Sequence, residues 1–221
     1  MLSSWPRRAG SEPVQVDLAT YEGVEQLCAA VVATGRPVEA LAINAGIGAG
    51  GDFTRDTDLD DELRVIALNV VSAVHLAKRL LPAMVTRGSG RVLFTSSQVS
   101  TMPGALQAVY AASKSFVQSL SEALREELKD TGVTVTALMP GATDTNFFHR
   151  AKMDHTRVGS APKDDPAKVA QQGFDAMMAG EEKVMAGSLL TRAQTAAAKV
   201  LPDRLKAAMH HKIAGPRPGG E

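Results

Sequence analysis

Short apolar runs alternate along this chain with longer segments of helical periodicity, and few folds accommodate that alternation. Runs at 14–18, 38–43, 91–95, 133–139 and Lys183–Ala186 read as strands. Stretches such as Ala40-Leu41-Ala42-Ile43 and Val92-Leu93-Phe94 are apolar on both faces, as strands covered on both sides are. Between the runs, helices are predicted over Tyr21–Ala33, Leu59–Arg87, 109–129, 166–179, 189–200 and 203–213. Pro82 predicts a kink or break near the end of the long one. Asp130-Thr131-Gly132 reads as a helix stop, and Asp165-Pro166 as an N-cap followed by a first-turn proline. Strand–helix–strand alternation of this kind predicts an α/β fold. The expected form is a doubly wound, Rossmann-like parallel sheet with right-handed connections.

Composition narrows the function. A chain of 221 residues, 44% hydrophobic and 22% charged, suits one globular domain. Its 24 basic and 24 acidic residues cancel, and only 4% are aromatic. Between Asp17 and Glu62, ten acidic residues face only Arg36 and Arg55, so no nucleic-acid partner is expected. Cys28 is the one cysteine, which excludes an intrachain disulfide and predicts a small buried apolar residue. His149 and His155, or His210 and His211, are not spaced as metal ligands on one helix face, so no metal site is expected. The most apolar stretch is interrupted by Asn69, His75, Lys78 and Arg79, and no apolar leader opens the chain. The expectation is a cytoplasmic protein without a membrane partner. Its single domain would span 14–213, with an unrelated or unstructured 1–13 and a disordered tail at 214–221.

Ligands of such sheets gather beyond the carboxyl ends of the strands. Four ends carry small or polar residues: Asp17-Leu18, Asn44-Ala45-Gly46, Ser96-Ser97, and Pro140-Gly141 through Thr145. Gly46 to Gly51 formally match G-x-G-x-x-G, but they run into Asp52, Asp56 and Asp58 rather than into a helix. Carboxylates there would repel a pyrophosphate, so the run is read as a flexible connection. Ser160-Ala161-Pro162-Lys163 matches S-x-x-K of penicillin-binding hydrolases, but without a helix start, S-D-N or K-T-G.

Tyr110 and Lys114 share one face of a predicted helix. A tyrosine ionises near pH ~10, and a neighbouring ammonium favours the phenolate. Such a pair can exchange a proton with a substrate oxygen near neutrality. Ser97, at the end of the preceding strand, can hydrogen-bond the same oxygen.

These residues, in this order, resemble the short-chain dehydrogenase/reductase family. Asp17-Leu18 is similar to its adenine-side pair, Asn44-Ala45-Gly46 to its N-A-G motif, and Asn69 to its helical asparagine. Ser97, Tyr110 and Lys114 are similar to its S…Y-x-x-x-K set, and Pro140-Gly141 with Thr143 and Thr145 to its P-G-x-x-x-T loop. The resemblance implies Tyr110 as general acid/base, and Lys114 as the group that lowers its pKa and holds the nicotinamide ribose. It implies Ser97 as the residue orienting the carbonyl, and Asn69 as the backbone holder of a water beside Lys114. Asn44, Ala45 and Gly46 would pass under the adenosine ribose. Thr143 and Thr145 would contact the carboxamide and a phosphate. The implied cofactor is NAD or NADP, and the implied substrate a small carbonyl or alcohol. The long helices 59–87 and 109–129, with alanines 67, 73 and 77, imply a homodimer or homotetramer.

The resemblance breaks at the start. The family opens with a strand, a T-G-x-x-x-G-x-G loop, a helix and a second strand, and the first run here is similar to its third strand. An N-terminally truncated sheet is therefore expected. Either 14–18 pairs directly with 38–43, or 38–43 becomes an open edge. The alternative to an enzyme is an inactive remnant that serves as a binding or subunit-association module. Residues 146–163 are expected to be irregular and to fold over the substrate. Phe147, Phe148 and Met153 would form its apolar wall.

Overall fold

The computed structural model describes residues 12–188 and 201–217. The helix predicted at 189–200 lies outside them. Four parallel strands form one sheet in the order β1-β2-β3-β4: Ala40–Ile43, Gly90–Thr95, Val133–Pro140 and Lys183–Ala186. Side chains alternate between its faces. Val92 and Phe94 of β2, with Val133 and Val135 of β3, face one core. There they meet Val24 and Cys28 of α1 (Tyr21–Ala33), and Val117 of α4 (Ala108–Glu127). Leu76, Ala77, Leu80 and Met84 of α3 (Ser72–Arg87) complete that core. Leu93 and Leu138 point the other way, onto Val169 and Met177 of α7 (Pro166–Ala179). The predicted α/β sheet, with helices on both faces, is what the chain builds.

The local signals act as expected in α7. The Asp165 side chain accepts from the Ala167 N–H at 2.8 Å, and Gly180 closes the helix at φ 69°. The long helical run departs from expectation. It continues through Pro82 and changes register earlier. A π-helical turn at Ala67–Val71 separates α2 (Leu59–Ile66) from α3. By length and composition the run Leu59–Arg87 would reach across a bilayer; here one face of it lies in the core against the sheet.

Residues 14–18 are not a strand. The backbone is irregular there, and Val14 is 43% exposed. The segment starts α1 instead: the Asp17 carbonyl accepts from the N–H and hydroxyl of Thr20, and Leu18 packs on the core. A strand is a pairing, and 14–18 has none. Among the described residues β1 pairs with β2 alone, so the open-edge alternative holds, with Ala40 and Ala42 exposed. Two further expectations change. Residues 146–163 contain two short helices, α5 (Phe147–Arg150) and α6 (Arg157–Ser160). The tail is anchored as far as Arg217. Arg157 N–H donates to Gly215 O at 3.1 Å, and Arg217 N–H to His155 O at 3.3 Å. The last helix, α8, spans Asp203–Ala214.

Candidate active site

The carboxyl ends of β1, β2 and β3 converge on the first turns of α4. Tyr110 and Lys114 project inward from that helix and are 8% and 5% exposed. The Ser97 hydroxyl, just past β2, donates to Pro140 O at 3.5 Å and lies beside the Tyr110 phenol, whose ionised form it favours. The Lys114 ammonium donates to the Thr95 carbonyl at 2.9 Å and stands 5.9 Å from the Tyr110 ring centroid. Gly46, at the end of β1, closes the group from the side. A Cβ there would lie 3.1 Å from Lys114 Nζ and 3.2 Å from Asn69 Oδ1.

Asn69 sits in the π-helical turn and is 1% exposed. Its amide donates to Ile47 O at 2.9 Å and to Ser113 Oγ at 2.9 Å, while its oxygen accepts from Ile47 N–H at 3.0 Å. Ser113 Oγ–H in turn donates to Tyr110 O at 2.7 Å. The Asn69 side chain therefore ties the chain after β1 to the tyrosine helix. Sequence reasoning left out two partners. Ser113 is one, three residues after Tyr110 on the same helix. Thr95 acts through its backbone carbonyl, which no side chain announces.

The other candidate residues are dispersed. Asn44 Oδ1 accepts from the Thr95 hydroxyl at 2.9 Å, and Asn44 and Ala45 are exposed. Thr143 Oγ1 donates to Gly141 O at 3.1 Å, and Thr145 Oγ1 accepts from the Phe147 N–H at 3.3 Å, at the start of α5. Asp17 is taken up elsewhere: its carboxylate accepts from Ala19 N–H at 3.0 Å and from Arg64 at 3.1 Å. Those bonds, the Ala19 one first, hold it below the usual carboxylate range.

The glycine run is a packing device. A Cβ at Gly48 would stand 2.6 Å from the Cζ of Phe147, and one at Gly50 would overlap the Met153 side chain. The chain then turns through Asp52, whose carboxylate binds Arg55 at 2.6 Å, and α2 begins only at Leu59. Phe147 lies over the tyrosine, with ring centroids 5.1 Å apart. Phe148, Ala151, Met153 and Ala214 form a small core beneath this flap, joined by Leu106 and Val158.

Burial dominates the electrostatics. It pushes the Tyr110 phenol up to about 12, against the opposing pull of Ser97. It lowers the Lys114 ammonium from 10.5 to about 8. With a folded-state pKa below its unfolded value, Lys114 opposes folding when charged. That penalty is complete below the lowered value, fades between the two, and vanishes above 10.5. It is worth about 3 kcal/mol at neutral pH, and the bond to Thr95 offsets ~1–2 kcal/mol of it. Lys114→Met should therefore raise the melting temperature by a few degrees at neutral pH. The advantage should shrink as the melts are repeated toward pH ~10; a variant that melts lower at neutral pH would contradict the assigned penalty.

A family model described as short chain dehydrogenase matches residues 7–156. The chain belongs to the short-chain dehydrogenase family. Dehydrogenase/reductase SDR family member 7B of Rattus norvegicus is 34% identical over 170 residues, covering 74% of this chain and 52% of that protein. The NADP-dependent 3-hydroxy acid dehydrogenase YdfG of Salmonella typhi is 30% identical over 147 residues, covering 66% of this chain and 59% of its own length. The chain thus spans about half the length of the curated relatives it matches. A short-chain dehydrogenase from Sphingobium yanoikuyae, in complex with NADPH, superposes with a TM-score of 0.72 at 25% identity. The match covers 94% of this chain and 76% of that one.

Proposed function

We propose that this short-chain dehydrogenase uses Ser97, Tyr110 and Lys114 in an oxidoreductase reaction on a carbonyl/alcohol pair, with NAD or NADP as cofactor. The observation that carries the reading is the buried phenol, set beside Ser97 and with the Lys114 ammonium 5.9 Å from its ring centroid, at the carboxyl end of a parallel sheet. The nicotinamide supplies the hydride when bound. The residues at the Lys114 end fit its ribose: an ammonium lies between Thr95 and the glycine backbone at Gly46, beside exposed Asn44 and Ala45. Ser97 orients the carbonyl oxygen. Tyr110, protonated at neutral pH, donates its proton to that oxygen, and the Lys114 ammonium steadies the phenolate left behind. The NADP in the name of the Salmonella relative and the NADPH in the Sphingobium structure support the cofactor class. Exposed Leu63, Ile66 and Val71 on the long helical run and Phe116 on α4 support a homodimer or homotetramer built on these helices.

The second reading is a binding or subunit-association module. Reduction of a panel of aldehydes and ketones, followed by loss of reduced nicotinamide absorbance, separates the two. It is run on this chain and on a fusion carrying a family strand–loop–helix unit ahead of Val14. Turnover by either form supports the enzyme. Cofactor binding without turnover in both, across the panel, leaves the module.

A further inference from the structure

Tyr110 is buried because of what lies on it. The Phe147 ring covers the phenol from the start of α5, 5.1 Å away and tilted by 50°, and Phe148 meets Phe147 edge-on at 5.4 Å. The Phe147 ring tip sits against Gly48, in space that any side chain at that position would take. Met153 fills the matching space at Gly50 and accepts a hydrogen bond from the Gln107 amide at 3.0 Å, just before the tyrosine helix. The flap is thus seated twice on the glycine run. Four charged or ionisable side chains pair at its outer side: His149 with Asp154, and Lys152 with Asp61, all at least half exposed. Lys163 lies over Phe148, 5.2 Å from its ring centroid, and donates to Gly159 O.

We infer that Phe147 is the gate and the specificity-determining residue of this site: its ring must leave the Gly48 socket before a carbonyl reaches Tyr110, and the space it vacates selects substrates with an apolar or aromatic face. The inference rests on Tyr110 as the proton donor, but it concerns access, so it can be tested without turnover. A ring that seats by apolar contact alone is replaced most readily by another apolar surface, because a carboxylate entering the same space is desolvated beside Phe148 and Leu106.

The chain has two tyrosines, and Tyr21 is 66% exposed. It is an internal reference for nitration by tetranitromethane, read by peptide mass spectrometry. A gate open ~0.1–10% of the time protects by ~10- to 1,000-fold, so Tyr110 in the parent should nitrate at least tenfold more slowly than Tyr21. Gly48→Ala displaces a flexible ring tip rather than backbone, and Phe147→Ala removes the ring. Each should bring Tyr110 within a few-fold of Tyr21, with native circular dichroism. In Phe147→Ala, acetophenone should slow Tyr110 nitration and acetoacetate at the same concentration should not. Equal nitration of both tyrosines in the parent overturns the gate whether or not the variants fold. So does persistent protection in a folded variant. Equal protection by the two carbonyl probes overturns the specificity. Loss of reductase activity with these results intact would count against the proposed function and leave the gate standing.

Discussion

Tyr110→Phe should lower carbonyl reduction by ~100- to 10,000-fold, the range that a positioned general acid contributes. The change removes the transferable proton and keeps the ring that packs against Phe147 and sits above Lys114. Cofactor affinity should hold within a few-fold, because no cofactor contact is assigned to the phenol oxygen alone. Steady-state kinetics in whichever form turns over, paired with calorimetric titration of NADPH, separates the two quantities. Lost turnover with retained binding is the signature of a missing proton donor. A variant that reduced the same aldehydes and ketones at the parent rate would remove Tyr110 from the chemistry.

Asn69→Ala should cost about 3–5 kcal/mol of folding stability. The asparagine makes three hydrogen bonds from a position 1% exposed: two with the Ile47 backbone and one with Ser113. Truncation leaves those partners unpaired where water enters poorly, at ~1–3 kcal/mol for each group that stays unsatisfied. The loss is a large part of the ~5–15 kcal/mol by which a domain is stable. Urea unfolding measures it directly. Asn69→Asp is the sharper comparison, since it keeps an acceptor for the Ile47 N–H and loses both amide donors. Destabilisation under ~1 kcal/mol in the alanine variant would show that the bonds are replaced by solvent.

Where a residue's role depends on its own side chain and near neighbours, the sequence revealed it. The α7 caps are spelled out by Asp165, Pro166 and Gly180, and β2 and β3 end within one residue of the apolar runs that predicted them. Ser97, Tyr110, Lys114, Asn69 and Gly46 do gather, because strand ends and one helix face obey simple periodicities. What the sequence concealed depends on distant partners. Residues 14–18 carry a strand-like pattern and find no strand beside them, so Asp17 turns to Ala19 and Arg64. Pro82 looked like the weak point of the long helix. The register change falls instead at Ala67–Val71, where Asn69 is drawn toward Ile47 and Ser113. Within residues 146–163, α5 and α6 are four residues each, about one turn of helix, too short to show a period.

The seats at Gly48 and Gly50 bear on how sequences of such proteins are compared. A motif scan credits the G-x-G spacing to a nucleotide, yet each glycine here answers to one side chain a hundred residues downstream, Phe147 or Met153. Substitution at either end then has to be matched at the other. Among homologues, a small residue in the place of Phe147 would free position 48 to carry a side chain, and a bulky residue there would hold it to glycine. The pairs 48/147 and 50/153 should accordingly drift together through a family tree, while Gly46, which faces Lys114 and Asn69, follows those two residues instead.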